Sequence, residues 1–126
     1  MLIVEDNPDC AELLRIQLDN AGYDVCVAGN AEEALAIAGE LCPRTAIIDI
    51  GLPGMDGYDL IEALLEKPEL GACRFFAVTG YDGRGFVQRS RDAGFSAHFT
   101  KPVDASALLE AVANPSVAVL RNAARH

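Results

Sequence analysis

The stretch TAIIDIGLPGMDG, residues Thr45 to Gly57, decides the fold. Its first half is a short apolar run, Thr45 to Ile50, broken by one acid, Asp49; its second half is rich in turn formers, Gly51, Pro53, Gly54 and Gly57. An apolar run of this length bounded by glycine and proline reads as a strand covered on both faces. From about Tyr58 to Glu66 the apolar side chains recur at helical spacing, so the strand hands over through the turn to a helix. That is half of a β-α-β unit, and Asp49 stands at the carboxyl end of its strand, where sheets of this kind bind ligands.

The same pattern extends in both directions. Leu2 to Val4 reads as a first strand, followed by a helix capped by Asn7 with Pro8 at its first position and a stop at Gly22. Val25 to Ala28 is a second strand, and Asn30 with Glu33 imitates a capping box for a helix through Leu41 that ends before Pro43. Arg74 to Val78 is a fourth strand, then comes a weak helix around Phe86 to Ala93, a fifth strand at Ala97 to Phe99, and a last helix capped by Asp104 that carries Leu108 and Val112. Five strand-helix units imply a parallel sheet with helices on both faces. The glycine-broken segment Tyr81 to Gly85, ahead of a helix with few apolar anchors, is expected to be the most mobile loop.

Composition narrows the function. With 126 residues the chain is one domain long. Its net charge is −9 and its only lysines are Lys67 and Lys101, which excludes the clustered cations that nucleic-acid binding needs. No apolar run approaches the roughly 20 residues of a membrane span, and the first strand begins too early for a leader. Cys10, Cys26, Cys42 and Cys73 form no close pair and sit in apolar stretches, so they read as small buried hydrophobes of a reducing cytoplasm rather than a zinc site or disulfides.

The polar residues at the strand ends are Glu5 and Asp6, Asp49, Thr79 and Lys101, and the topology brings all five to one edge. Taken singly, each has a plain alternative: a solvated acidic loop, a strand-end acid, a hydroxyl bonded to backbone, a surface lysine. Their convergence overturns those alternatives. Three gathered carboxylates repel unless a cation lies among them, and Mg²⁺ suits one or two carboxylates plus a phosphoryl group. Thr79 and Lys101 suit the phosphoryl oxygens, so the set is equipped for phosphoryl transfer to a carboxylate.

The strings LIVEDN, DIGLPGMDG, VTG and TKP, in this order and spacing, resemble the receiver domain of two-component response regulators over Met1 to about Ala113. The resemblance implies a flavodoxin-like (βα)5 fold with a doubly wound parallel sheet in order 2-1-3-4-5. It also implies phosphorylation of Asp49 by a sensor histidine kinase or a histidine phosphotransfer protein. Mg²⁺ would be held by Glu5 or Asp6, by Asp49 and by the Gly51 carbonyl, with Asp6 as the direct ligand and Glu5 acting through water. Thr79 would take a phosphoryl oxygen on switching, and Lys101 would pair with the phosphoryl group. The acid pair departs from the family's Asp-Asp, and His98 stands three residues before Lys101, where the family usually has the Tyr or Phe that moves with the threonine. On this basis residues 1–113 form the receiver domain and 114–126 a C-terminal extension or linker.

VTGY and GFSAHFTKPVD resemble receivers of hybrid sensor kinases, so a stand-alone domain and one cut from a longer chain both stay open, as do a monomer and a dimer. The downstream protein is not identified. Two other readings compete: a small Mg²⁺-dependent phosphohydrolase with an aspartate nucleophile, and a receiver-like interaction module that is not phosphorylated. The second would be marked by loss of the acids, threonine or lysine, all of which are present.

Overall fold

The computed structural model describes residues 1–51, 57–80, 92–101 and 103–113. Five parallel strands, β1 (Leu2–Val4), β2 (Cys26–Ala28), β3 (Thr45–Asp49), β4 (Arg74–Thr79) and β5 (Ala97–Thr100), form one sheet in the order β2-β1-β3-β4-β5. Four helices accompany them among the described residues: α1 (Pro8–Asn20), α2 (Ala31–Leu41), α3 (Gly57–Leu65) and α4 (Ala105–Ala113). This is the expected doubly wound flavodoxin-like architecture.

Successive strand residues face opposite sides of a sheet, which explains why these strands show no polar alternation. Leu2, Val4, Ala46, Ile48, Phe75 and Ala77 pack against α2 and α3, through Ala34, Ala38, Leu60, Ile61 and Leu64. Ile3, Ile47, Phe76 and Val78 turn the other way, onto Leu14 and Leu18 of α1 and Leu108 and Val112 of α4. Both faces of the central strands are therefore core, and their ends are the part left for chemistry.

The helix signals hold in detail. The Asn7 side chain accepts from the Asp9 and Cys10 N–H groups, and Asp104 does the same for Ser106 and Ala107. Asn30 accepts from the Glu33 N–H at 2.9 Å, but Glu33 reaches back to the Gly29 N–H rather than to Asn30, a capping box displaced by one residue. Strand ends moved by one: Thr79 is the last residue of β4 rather than the first beyond it. A short 3-10 turn at Pro68–Leu70 was not anticipated. The helix expected around Phe86 to Ala93 is described only at Asp92 and Ala93, which are helical. The Tyr81 to Gly85 loop and residues 114–126 lie outside the described residues. No described helix is long and apolar enough to cross a membrane.

The cysteines require a correction. Only Cys73 is buried; Cys10 is half-buried, and Cys26 and Cys42 are exposed. Cys26 lies on β2, at one edge of the sheet. Cys42 ends α2 in the left-handed conformation with φ 47°, satisfying the Ala38 carbonyl before Pro43 stops the helix. Its role is backbone geometry rather than packing. Glycine adopts that conformation freely, whereas a side chain costs roughly 1 kcal/mol. Cys42→Gly should therefore raise the urea midpoint and Cys42→Val should lower it; equal midpoints would show that the cap relaxes instead.

Candidate functional site

The sheet delivers each candidate residue by extending its ladders. The Glu5 N–H donates to the Ala28 carbonyl at 3.0 Å, which carries β1 one residue past its end and leaves Glu5 3% exposed and Asp6 outside. Asp49 closes β3 in register with Val78 of β4. Thr79 closes β4, buried, and its carbonyl accepts the Lys101 N–H at 2.7 Å. Lys101 is thus seated by the threonine's own backbone.

The Lys101 Nζ donates to Glu5 Oε1 at 2.6 Å and to Asp49 Oδ2 at 3.0 Å. The other oxygen of that carboxylate, Asp49 Oδ1, takes the Gly51 N–H at 2.9 Å. Burial is the largest influence on Glu5; together with the neighbouring Asp49 carboxylate it raises the carboxyl pKa to about 7 against the pull of Lys101. Burial also works against ionised Asp49, but the neighbouring Glu5 carboxyl and the hydrogen bonds from the Gly51 N–H and Lys101 outweigh it and hold that carboxyl below its ordinary value. Partial burial opposes the Lys101 charge, and its bonds to Glu5 and Asp49 more than compensate, raising its pKa. The site therefore presents an ionised aspartate, a charged lysine and a glutamate that holds its proton unusually long. The expected repulsion among three bare acids is largely answered by Lys101, and it is burial more than mutual repulsion that lifts Glu5.

Glu5, Asp6 and Asp49 each offer a carboxylate oxygen, and these atoms lie within 4.8 Å of one another. Glu5 Oε2 is buried without a hydrogen-bond partner among the described residues. An orphaned buried oxygen beside two further carboxylates is a hard donor set that fits Mg²⁺. His98 lies on β5 in register with Ala77, two residues before the level of Thr79. The residue is half-buried, yet both ring nitrogens are covered and have no hydrogen-bond partner among the described residues; burial lowers its pKa and favours the neutral ring.

Two features escaped the sequence. A cavity of about 440 Å³ adjoins Glu5 and Lys101 and is walled largely by Leu13, Leu14, Val78 and Val103. Gly57 is more than a turn former: its N–H donates to the Ile50 carbonyl at 2.9 Å, and the start of α3 lies directly against the backbone after Asp49. Its place in a glycine-rich turn gave no sign of that approach.

Comparison with known proteins places these residues in context. Residues 1–113 match the model of the response regulator receiver domain. The chain is 31% identical over 112 residues to the polar-differentiation response regulator DivK of Brucella anthropi, covering 89% of this chain and 91% of that one. The signal receiver domain of a signal transduction histidine kinase from Syntrophus aciditrophicus superposes with a TM-score of 0.79 at 33% identity, over 88% of this chain and 84% of that one. A response regulator protein from Burkholderia pseudomallei, solved with a phosphorylated aspartic acid, calcium ion and citrate, gives 0.83 at 26% identity, over 96% and 69%.

The titration of Glu5 has a consequence for stability. Its carboxyl would release its proton near 4.5 when unfolded but holds it to about 7 when folded, so between those values the folded state binds the extra proton. Metal-free stability should therefore fall as pH rises from 4.5 to 7. Asp49 acts oppositely, and only at acid pH: its contribution is lost as pH falls below its ordinary 3.8. Lys101 contributes fully until pH rises past its ordinary 10.5. Urea titrations in chelator at pH 5 and pH 7.5 should show the loss in the wild type and a much smaller one in Glu5→Gln; equal slopes would remove Glu5 as the cause.

Proposed function

The chain belongs to the response regulator receiver domain family of two-component signalling, and from that premise we propose that it is a Mg²⁺-dependent phosphoacceptor whose acceptor is Asp49. The donor is a phosphohistidine on a sensor histidine kinase or a histidine phosphotransfer protein. The carboxylate oxygen forms the new P–O bond as the P–N bond to the donor imidazole breaks. The observation that carries this reading is the ionised Asp49 held 3.0 Å from Lys101 beside an acid pair able to take a divalent cation. The phosphorylated aspartate and cation of the Burkholderia pseudomallei protein support the same assignment.

Glu5, Asp6, Asp49 and the Gly51 carbonyl are the groups that would hold Mg²⁺, Asp6 directly and Glu5 through water. When bound, the ion supplies positive charge for the phosphoryl oxygens. Lys101 turns from the two carboxylates to the new phosphoryl group, and the Thr79 hydroxyl donates to one of its oxygens. Displacement of Thr79 is then felt at β5, where His98 takes the place of the usual aromatic ring as the switch residue. The switched face acts on a downstream protein, in the cytoplasm, where ATP-dependent donors reside.

The phosphohydrolase reading is disfavoured by the walls beside the site. Leu13, Leu14, Val78 and Val103 offer few of the polar groups that would bind a sugar or alcohol, whereas Leu13 and Ile16, exposed by 59% and 43% on α1, offer apolar surface to a protein donor. The chain is read as a signalling switch with no separate substrate.

Incubation with acetyl phosphate and Mg²⁺ should add one labile phosphate to the wild type, seen by mass spectrometry, and none to Asp49→Asn; undiminished labelling of the variant would move the acceptor elsewhere. The metal site is checked without any donor. With a dissociation constant on the order of 1 mM and about 10 mM Mg²⁺, linkage adds roughly 1.4 kcal/mol. For this length that is a melting shift of a few degrees. Asp6→Ala should remove most of the shift, and a full shift in that variant would exclude Asp6 from the site.

A further inference from the structure

Gly57 opens α3, yet its backbone returns to the end of β3. A Cβ placed on it would stand 2.6 Å from the Ile50 Cα and 3.0 Å from the Asp49 carbonyl oxygen, both backbone atoms. Its φ lies outside the left-handed region, so close approach rather than conformational freedom accounts for the glycine. Ile50 has little room to step aside. Its N–H donates to the Val78 carbonyl on β4 at 2.9 Å, its carbonyl accepts the Gly57 N–H at 2.9 Å, and its side chain is buried in the α2–α3 layer.

We propose that Gly57 is a positioning residue for the acceptor. Its bare Cα lets the first turn of α3 seat on the Asp49–Ile50 backbone and fix the end of β3. The Asp49 carboxylate is thereby held where both the Gly51 N–H and the Lys101 Nζ reach it, at 2.9 and 3.0 Å. Any side chain at 57 pushes on main-chain atoms that hydrogen bonds hold from two directions, and the displacement passes to the carboxylate and to Gly51, two residues beyond Asp49. The inference rests on the reading of Asp49 as acceptor and of the acids with Gly51 as the metal site.

The test compares Gly57→Ala with Gly94→Ala. Gly94 has φ +111°, and a Cβ there would meet the Leu65 side chain at 2.9 Å, so this control costs stability through α3 side chains rather than through the Asp49–Ile50 backbone. At a temperature well below both melting points, Gly57→Ala should take label from acetyl phosphate about tenfold more slowly or worse, the penalty expected of a nucleophile misplaced by a fraction of an ångström. Its Mg²⁺ affinity, measured by calorimetry, should fall with it, while Gly94→Ala keeps wild-type values of both. Wild-type labelling and Mg²⁺ affinity in Gly57→Ala would overturn the inference, as would equal losses in Gly94→Ala. Failure of the wild type to label would instead sink the acceptor reading, and the Mg²⁺ arm would still decide on Gly57.

Should Gly57→Ala not fold, the wild type answers by reciprocity, because a contact that orders the site must itself be stabilised when the site is filled. Mg²⁺ with beryllofluoride should slow hydrogen exchange at the Gly57 amide and leave the remote Cys73 amide unchanged. Unaltered exchange at Gly57 would overturn the inference.

Discussion

The ammonium of Lys101 stands 2.6 Å from Glu5 and 3.0 Å from Asp49, at a sheet edge where both acids are nearly buried. Two carboxylates cannot be withdrawn from water side by side without a compensating charge. The described residues supply that charge from the far end of the chain. Lys101 in turn can reach the acids only because its backbone is hydrogen-bonded to Thr79, so β5 must be in register with β4 before the site exists. The central constraint of this domain is thus a three-residue ion cluster drawn from three different strand ends.

The layers serve that cluster. Apolar residues on alternate faces of β1, β3 and β4 are claimed by two separate helix layers, which leaves no sliding freedom for a strand: a shift by one residue would exchange its two faces. A sheet so locked delivers its carboxyl ends to fixed positions. The end of β3 is then pinned from the other side, where α3 begins against the Ile50 backbone. Asp49 is held by packing on two sides and by hydrogen bonds to both of its oxygens, and the acid that remains adaptable is Glu5, with one oxygen on Lys101 and the other without a partner among the described residues.

Much of this was legible locally. Asn7, Asn30 and Asp104 are short polar side chains that bond to backbone two or three residues ahead, an interaction complete within one turn, and all three caps form. Burial was less legible, because it depends on what lies opposite. Cys26 and Cys42 sit in apolar company along the chain and are nevertheless exposed, one on an edge strand and the other at a helix end. His98 is half-buried on β5, and its ring nitrogens are the atoms that are covered, which its place in the sequence does not show.

By itself the sequence determined the strands, the described helices, their alternation, the sheet class and the candidate residues at the strand ends, because period, capping and strand-end position are local properties of the chain. Only the tertiary structure decided how those residues share charge. That Glu5 is buried while Asp6 is exposed, that Lys101 bridges two acids, and that Gly57 has no room for a methyl group are all relations between residues separated in sequence and joined by packing. A carboxylate's pKa and a glycine's necessity are set by the atoms a few ångströms away, and spacing along a chain does not say which atoms those will be.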